Sequence, residues 1–222
     1  MGKGTAAPSR QKETMTHTDC LIRRETPADY RCVEELTREA FWNVYRPGCT
    51  EHYILHQFRT RPEFVPELDL VLERRGRIIG HIMYTRARID ADDGRVIPVM
   101  TFGPVSIAPD CQRRGYGKYL VEESMRRARA LGAGALCIEG NPAFYGRSGF
   151  VAAGTRGIGC RQLPRGEEAP YFLLRELEPG FLDGVTGLYD TPEGYAVDEA
   201  AAERFDALFP PKRKERRPGQ LG

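Results

Sequence analysis

The chain has 222 residues, 41% hydrophobic and 29% charged, with Lys+Arg 33 against Asp+Glu 31 and a formal net charge of +2. That composition excludes a wholly disordered chain, and the charge balance excludes a dedicated nucleic-acid binder, whose basic face dominates the count. The longest uncharged stretch, 96–109, contains Pro98 and Pro104 and falls short of the ~20 apolar residues of a bilayer crossing, so no membrane partner is expected.

Residues 1–18 are polar and lack the apolar centre of a secretory signal. They read as a disordered extension of a cytoplasmic protein, with Met15 as an alternative start. Six scattered cysteines without a C-x-x-C pair read as reduced thiols. Cys20–Arg24 is a strand candidate. Thr26-Pro27-Ala28-Asp29 predicts a helix start capped by Thr26, and Val33, Leu36, Ala40, Phe41 and Val44 continue it at helical spacing. Pro47-Gly48 breaks that helix, and residues 50–60 form a second. Residues 68–73, 77–90 and 95–107 are β-rich and joined by Arg75-Gly76 and Asp93-Gly94, which predicts a three-strand antiparallel meander. Gly103-Pro104 interrupts the third strand, because proline has no N–H for a ladder.

Residues 115–131 make the clearest helix, with Glu122/Arg126 and Glu123/Arg127 paired four apart and Gly132 as the stop. Residues 135–139 are a short strand reached by a right-handed crossover. Residues 150–153 and 171–176 close the sheet, 179–192 are turn-rich, and 197–209 form a terminal helix. The division is a main domain over 19–176, an extension over 177–209 packed on it, and a disordered basic tail over 210–222. The fold class is α/β (α+β), a mixed and mostly antiparallel sheet flanked by helices.

The informative run is Val105-Ser106-Ile107-Ala108-Pro109-Asp110-Cys111-Gln112-Arg113-Arg114-Gly115-Tyr116-Gly117. A strand ends, a loop follows and a helix opens on two glycines. The first N–H groups of a helix lack internal acceptors and carry partial positive charge. Arg113, Arg114 and Lys118 add full charges, so this is a site for a diphosphate. No Gly-Lys-Ser/Thr follows, which excludes a Walker loop. A dinucleotide fingerprint is the rival reading, with Glu139 as ribose acid, but Leu120 stands where its third glycine belongs.

With Asn141 and Tyr145-Gly146-Arg147-Ser148-Gly149-Phe150 downstream, the run Gln112 to Gly117 resembles the GNAT superfamily of acetyl-CoA-dependent N-acetyltransferases. The resemblance implies a GNAT-like sheet whose splayed strand pair forms the acetyl-CoA cleft. It implies that the backbone of Gln112, Arg113, Arg114, Gly115, Tyr116, Gly117 and Lys118 holds the pyrophosphate. Val105, Ser106 and Ile107 would pair with the pantetheine amides, the Ile107 N–H would donate to the thioester oxygen, and Asn141 would lie beside the cofactor. Tyr145 would be the general acid. Asn141 stands four residues before Tyr145, closer than the family's usual seven.

The implied reaction is direct attack of an amine, on a small molecule or peptide, upon the thioester. An alkyl ammonium of pKa ~10 must first lose its proton. Glu51 is the candidate base, with His52, His81 and Glu139 as alternatives. No metal is expected: Cys49, His52 and His56 have a zinc-like spacing but no evident fourth ligand. An acyl-cysteine route through Cys111 is less favoured than direct transfer. The alternative functions are a non-catalytic acyl-CoA sensor and an NAD(P)-binding oxidoreductase. The expected assembly is a monomer or homodimer, without nucleic acid.

Overall fold

In the computed structural model, which describes residues 19–220, two tight turns fold the chain back on itself. The N-terminal extension expected over 1–18 lies outside the described residues. Strand β1 (Cys20–Arg24) leads to helices α1 (Tyr30–Phe41) and α2 (Glu51–Phe58). Then come β2 (Leu70–Arg74), β3 (Arg77–Ala91) and β4 (Val96–Ile107), each antiparallel to its neighbour as the meander predicts. Arg75 and Gly76 adopt φ of 51° and 77°, the doubly positive pair that a two-residue hairpin turn needs.

Helix α3 (Tyr116–Ala130) crosses to β5 (Ala135–Glu139), which lies parallel to β4. A short helix α4 (Pro142–Tyr145), β6 (Val151–Ala152), β7 (Ile158–Cys160), β8 (Phe172–Glu176), β9 (Gly187–Asp190) and α5 (Glu199–Asp206) follow. The sheet order is β1-β2-β3-β4-β5-β8-β6, with β9 bridging β3 and β7.

The period-2 alternation of β3 assigns its side chains to two layers. Ile82 and Tyr84 join Leu70, Leu72, Leu120 and Val121 beneath α3, while Met83 meets Val33, Leu55 and Phe58 of α1 and α2 on the other face. Leu55 and Phe58 are fully buried, each contributing ~2 kcal/mol of apolar transfer.

Several expectations change in detail. Asp29, not Thr26, stands at the N-cap position of α1, but its carboxylate caps no helix N–H: it accepts the Thr26 N–H and hydroxyl at 2.9 and 2.7 Å and is clasped by Arg23. Val44 falls beyond the end of α1 and is exposed. On α3, Glu123 takes both Arg126 and Arg127 at 2.8 Å, whereas Glu122 faces Lys118 at 3.4 Å. The turn-rich stretch contains β9, which pairs with Arg88–Ala91 of β3. The tail expected to be disordered lies along α1 and the loop after it over residues 210–220, held by hydrogen bonds from Trp42 and Asn43.

Candidate functional site

β4 and β5 pair only at Met100 and Leu136. Beyond that point β4 keeps β3 on one edge and leaves the other open, next to the register shift at Ile82 and Tyr84. The Ala108 N–H donates to the Ile79 carbonyl at 2.9 Å, so alternation turns the Ser106 amide toward β3 and those of Val105 and Ile107 toward the opening. Consistently, the Ile107 carbonyl is met from the open side by Gln112 Nε2 at 3.0 Å. Ser106 is buried, its Oγ 2.8 Å from Thr37 Oγ1 of α1. Of the three expected strand-pairing residues, two face the cleft and Ser106 faces the core.

The loop from β4 to α3 is stiffened from both sides. Arg77 grips Asp110 with two bonds of 2.7 and 3.0 Å, and the Gln112 side chain ties the loop back to Ile107. Gly115 takes φ +93°, which turns the chain into α3. Tyr119 N–H closes onto Gly115 O at 3.0 Å, so the earlier N–H groups of Tyr116, Gly117 and Lys118 point out of the helix end. No side chain caps them and no acid occupies the first turn. Arg113, Arg114 and Lys118 are exposed around them, whereas the Tyr116 ring is buried in the core as an anchor.

Across the opening, Asn141 Oδ1 accepts the Ala143 N–H at 2.8 Å, so that oxygen caps α4. Phe144 reaches 3.4 Å from where a Cβ of Gly117 would stand, which brings α4 against the start of α3. Tyr145 is half-buried among Phe102, Phe144 and Phe150, at centroid distances of 5.8, 4.8 and 5.6 Å. Burial pushes its phenol pKa well up, with Tyr45 adding to the effect.

Tyr45 sits on the loop after α1 and also feels the Glu51 carboxylate, so loop, α2 start and Tyr145 share one electrostatic neighbourhood. Burial raises the Glu51 pKa, opposed by its own N–H, the Thr50 N–H (2.9 Å) and Arg46.

The alternative bases divide sharply. His52 is fully buried beneath Phe205 and Phe209, 3.1 Å from Asp206, and desolvation pushes it down to about 4. His81 is equally buried, 2.7 Å from Asp69, and desolvation again brings it to about 4. Neither can meet a substrate amine. Glu139 ends β5 at the opening, and burial raises its pKa.

The zinc-like trio does not converge. Cys49 Sγ is 3.5 Å from His52 Nδ1, but His56 Nδ1 turns to Glu34 at 2.9 Å. Cys111 is buried and its thiol is raised by desolvation, which disfavours the thiolate that an acyl-cysteine route needs. Among the described residues, Glu25, Asp69 and His81 are the only cluster with metal-ligand spacing. Arg59 already donates to both Glu25 oxygens at 3.3 and 2.8 Å. Burial, and after it the Asp69 contact, lift Glu25 to about 8.

Tyr195, from the C-terminal extension, escaped the sequence reading. Its hydroxyl donates to the Gly103 carbonyl at 3.1 Å, where β4 leaves β5, and its ring meets Phe58 edge-to-face at 4.7 Å. The only local signal was an aromatic inside a Pro/Gly-rich turn.

A sheet opened beside an uncapped, glycine-started helix offers the hydrogen-bonding groups that an extended amide chain ending in a diphosphate would use. The family model described as "Acetyltransferase (GNAT) domain" matches residues 21–153, and the chain belongs to this family. The uncharacterized N-acetyltransferase YhbS of Escherichia coli is 26% identical over 175 residues, covering 79% of this chain and 98% of YhbS. The crystal structure of YhbS in complex with CoA is similar at TM-score 0.69 and 25% identity, over 80% of this chain and 92% of that one. A GNAT family acetyltransferase from Brucella melitensis in complex with acetyl-CoA is similar at TM-score 0.63 and 25% identity, over 80% and 98%. The fold is the GNAT fold. Among the described residues no helix is long and apolar enough to cross a membrane.

Proposed function

We propose that this chain transfers the acetyl group of acetyl-CoA directly to an amine of a small molecule or peptide within a ternary complex. The observation that carries this reading is two open hydrogen-bonding surfaces side by side. The Val105 and Ile107 amides face the cleft, and the uncapped N–H groups of α3 stand beside it. Pantetheine amides and a pyrophosphate fit that pair of surfaces. The CoA and acetyl-CoA complexes of the two similar proteins support the same ligand.

When bound, acetyl-CoA supplies an activated thioester carbonyl. The backbone from Gln112 through Lys118 holds the pyrophosphate, with Arg113, Arg114 and Lys118 adding charge. Asn141 supports this site indirectly, by capping α4. The Ile107 N–H donates to the thioester oxygen and stabilises the negative charge that develops there.

Glu51 takes the amine proton. Its raised proton affinity narrows the gap to an ammonium of pKa ~10. Tyr145, protonated at neutral pH, donates to the departing sulfur. The apolar rings that raise the phenol also raise the proton affinity of a thiolate beside it, because both anions lose water there.

Calorimetry with acetyl-CoA, followed by thiol release over an amine panel, tests the reading. Binding with amine-dependent thiol release is the expected result. Binding without turnover would make the protein an acyl-CoA sensor, and absence of binding would remove both readings.

A further inference from the structure

The loop between α1 and α2 is folded around one residue. Asn43 is 3% exposed and has φ +57°, a left-handed conformation that asparagine tolerates. Its N–H donates to Gly48 O at 2.9 Å, and its Oδ1 accepts the Gly48 N–H at 2.8 Å, which closes the loop on itself.

The remaining bonds of Asn43 go to the C-terminal segment. Oδ1 also accepts the Glu215 N–H at 3.0 Å, Nδ2 donates to Arg213 O at 3.1 Å, and the Asn43 carbonyl accepts from Gln220 Nε2 at 3.0 Å. Trp42 Nε1 joins the same Arg213 carbonyl at 3.0 Å. Lys212 pairs with Glu39 at 2.8 Å, and the Lys214 stem lies against Gly48. From the other side, Arg46 grips Glu199 of α5 with bonds of 2.7 and 3.0 Å. The same short loop carries Tyr45, which bears on Tyr145, and leads into Glu51, which bears on Tyr45.

We infer that residues 210–220 are a strap that sets the acceptor side of the site, with Asn43 as the positioning residue through which the strap holds the loop. The strap lies outside the family-matched residues 21–153. A loop of this length has conformational freedom that must be removed before an amine can be aimed, and the strap supplies the bonds that remove it. Its consequence for catalysis rests on the acetyltransferase reading; its effect on the loop does not.

Wild type is compared with Asn43→Ala, Asn43→Asp and a variant ending at Pro210. Amide hydrogen exchange at residues 42–50 is expected to quicken at least tenfold in Asn43→Ala and in the shortened chain, while α3 and β4 stay unchanged. Trp42, the single tryptophan, is expected to show a red-shifted emission in the shortened chain. With spermidine and a lysine-containing peptide as amine probes, KM for the amine is expected to rise at least tenfold. Acetyl-CoA affinity should stay within twofold. Asn43→Asp keeps both acceptor contacts but sets a buried carboxylate oxygen against the Arg213 carbonyl in place of the Nδ2 donor, and is expected to raise the amine KM at least threefold. Unchanged exchange at 42–50 in both damaged variants, or an unchanged amine KM, overturns the strap. Should Asn43→Ala not fold, the shortened chain decides alone, since residues 211–220 include no fully buried side chain. If wild type fails to bind acetyl-CoA, the acetyltransferase reading falls, and the exchange result still judges the strap.

Discussion

Tyr145 lies so close under the turn after β5 that a Cβ on Gly140 would come within 2.4 Å of its ring. Such packing orients the phenol, and removing only its hydroxyl leaves that packing intact. Tyr145→Phe is therefore expected to lower turnover at least tenfold, with acetyl-CoA affinity within twofold by calorimetry. An unchanged turnover would leave the ring as packing alone.

Glu51→Gln keeps the shape of the α2 start and removes the proton acceptor. Turnover of an amine probe at pH 7 is expected to fall at least tenfold, and the acid limb of the pH–rate profile should flatten. A retained acid limb would assign it to another group, with Glu139 the remaining candidate at the opening. Single residues were legible in the sequence where a motif named them, as for Gly115, whose φ of +93° turns the chain into α3. Tyr195 was not, because its bond to Gly103 joins residues 92 positions apart.

At the scale of elements, the proposed diphosphate site is a property of the α3 terminus rather than of any one side chain. Arg113 and Arg114 are exposed and in that proposal would supply long-range charge, while the backbone would supply the directed bonds. Reversing both, Arg113→Glu with Arg114→Glu, is expected to weaken acetyl-CoA binding tenfold or more and to reduce its salt dependence, as read by titrations at two ionic strengths. An affinity indifferent to this change would remove the site from the loop.

Gly115→Ala forces a side chain to φ +93° and is expected to destabilise the fold by ~1 kcal/mol, measurable in urea. The position of α3 and the meander were legible because their signals are local: turn dipeptides, helical spacing and a glycine stop. The partners of its outer charges were not, since three or four residues along a helix are nearly equivalent in reach.

The whole molecule buries titratable groups whose opposing demands set its pH response. His52 and His81, at about 4 when folded against 6.5 ordinarily, take up protons mainly in the unfolded chain. Their contribution is complete above pH 6.5 and is lost as pH falls toward 4. Glu25 goes the other way: at about 8 when folded against 4.5, it holds its proton better in the native state. Its contribution is complete below pH 4.5 and is lost as pH rises toward 8.

Between pH 4.5 and 6.5 the two histidines outweigh Glu25, with the smaller upward shifts of Asp69, Glu51 and Glu139 acting on its side, and above 6.5 Glu25 dominates. Stability is expected to peak near pH 6.5 and then to decline to pH 8 by at most ~1.4 kcal/mol per pH unit, the limit for one proton. Glu25→Gln should abolish the decline between pH 6.5 and 8 in urea titrations. A decline of the same slope in that variant would assign it elsewhere.

By itself the sequence determined the meander, the crossover helix, the break in β4 and the glycine-opened helix terminus, and with them the fold class. Each of those is written in residues that are neighbours along the chain, where turn geometry, periodicity and the missing N–H of proline act directly. Only the tertiary structure decided that β9 completes the sheet, that Tyr195 meets β4, that His52 and His81 are sealed from solvent, and that the basic tail binds the loop at Asn43. These depend on groups far apart in the chain meeting in space. Burial and hydrogen-bond satisfaction then choose among many partners that composition leaves equivalent.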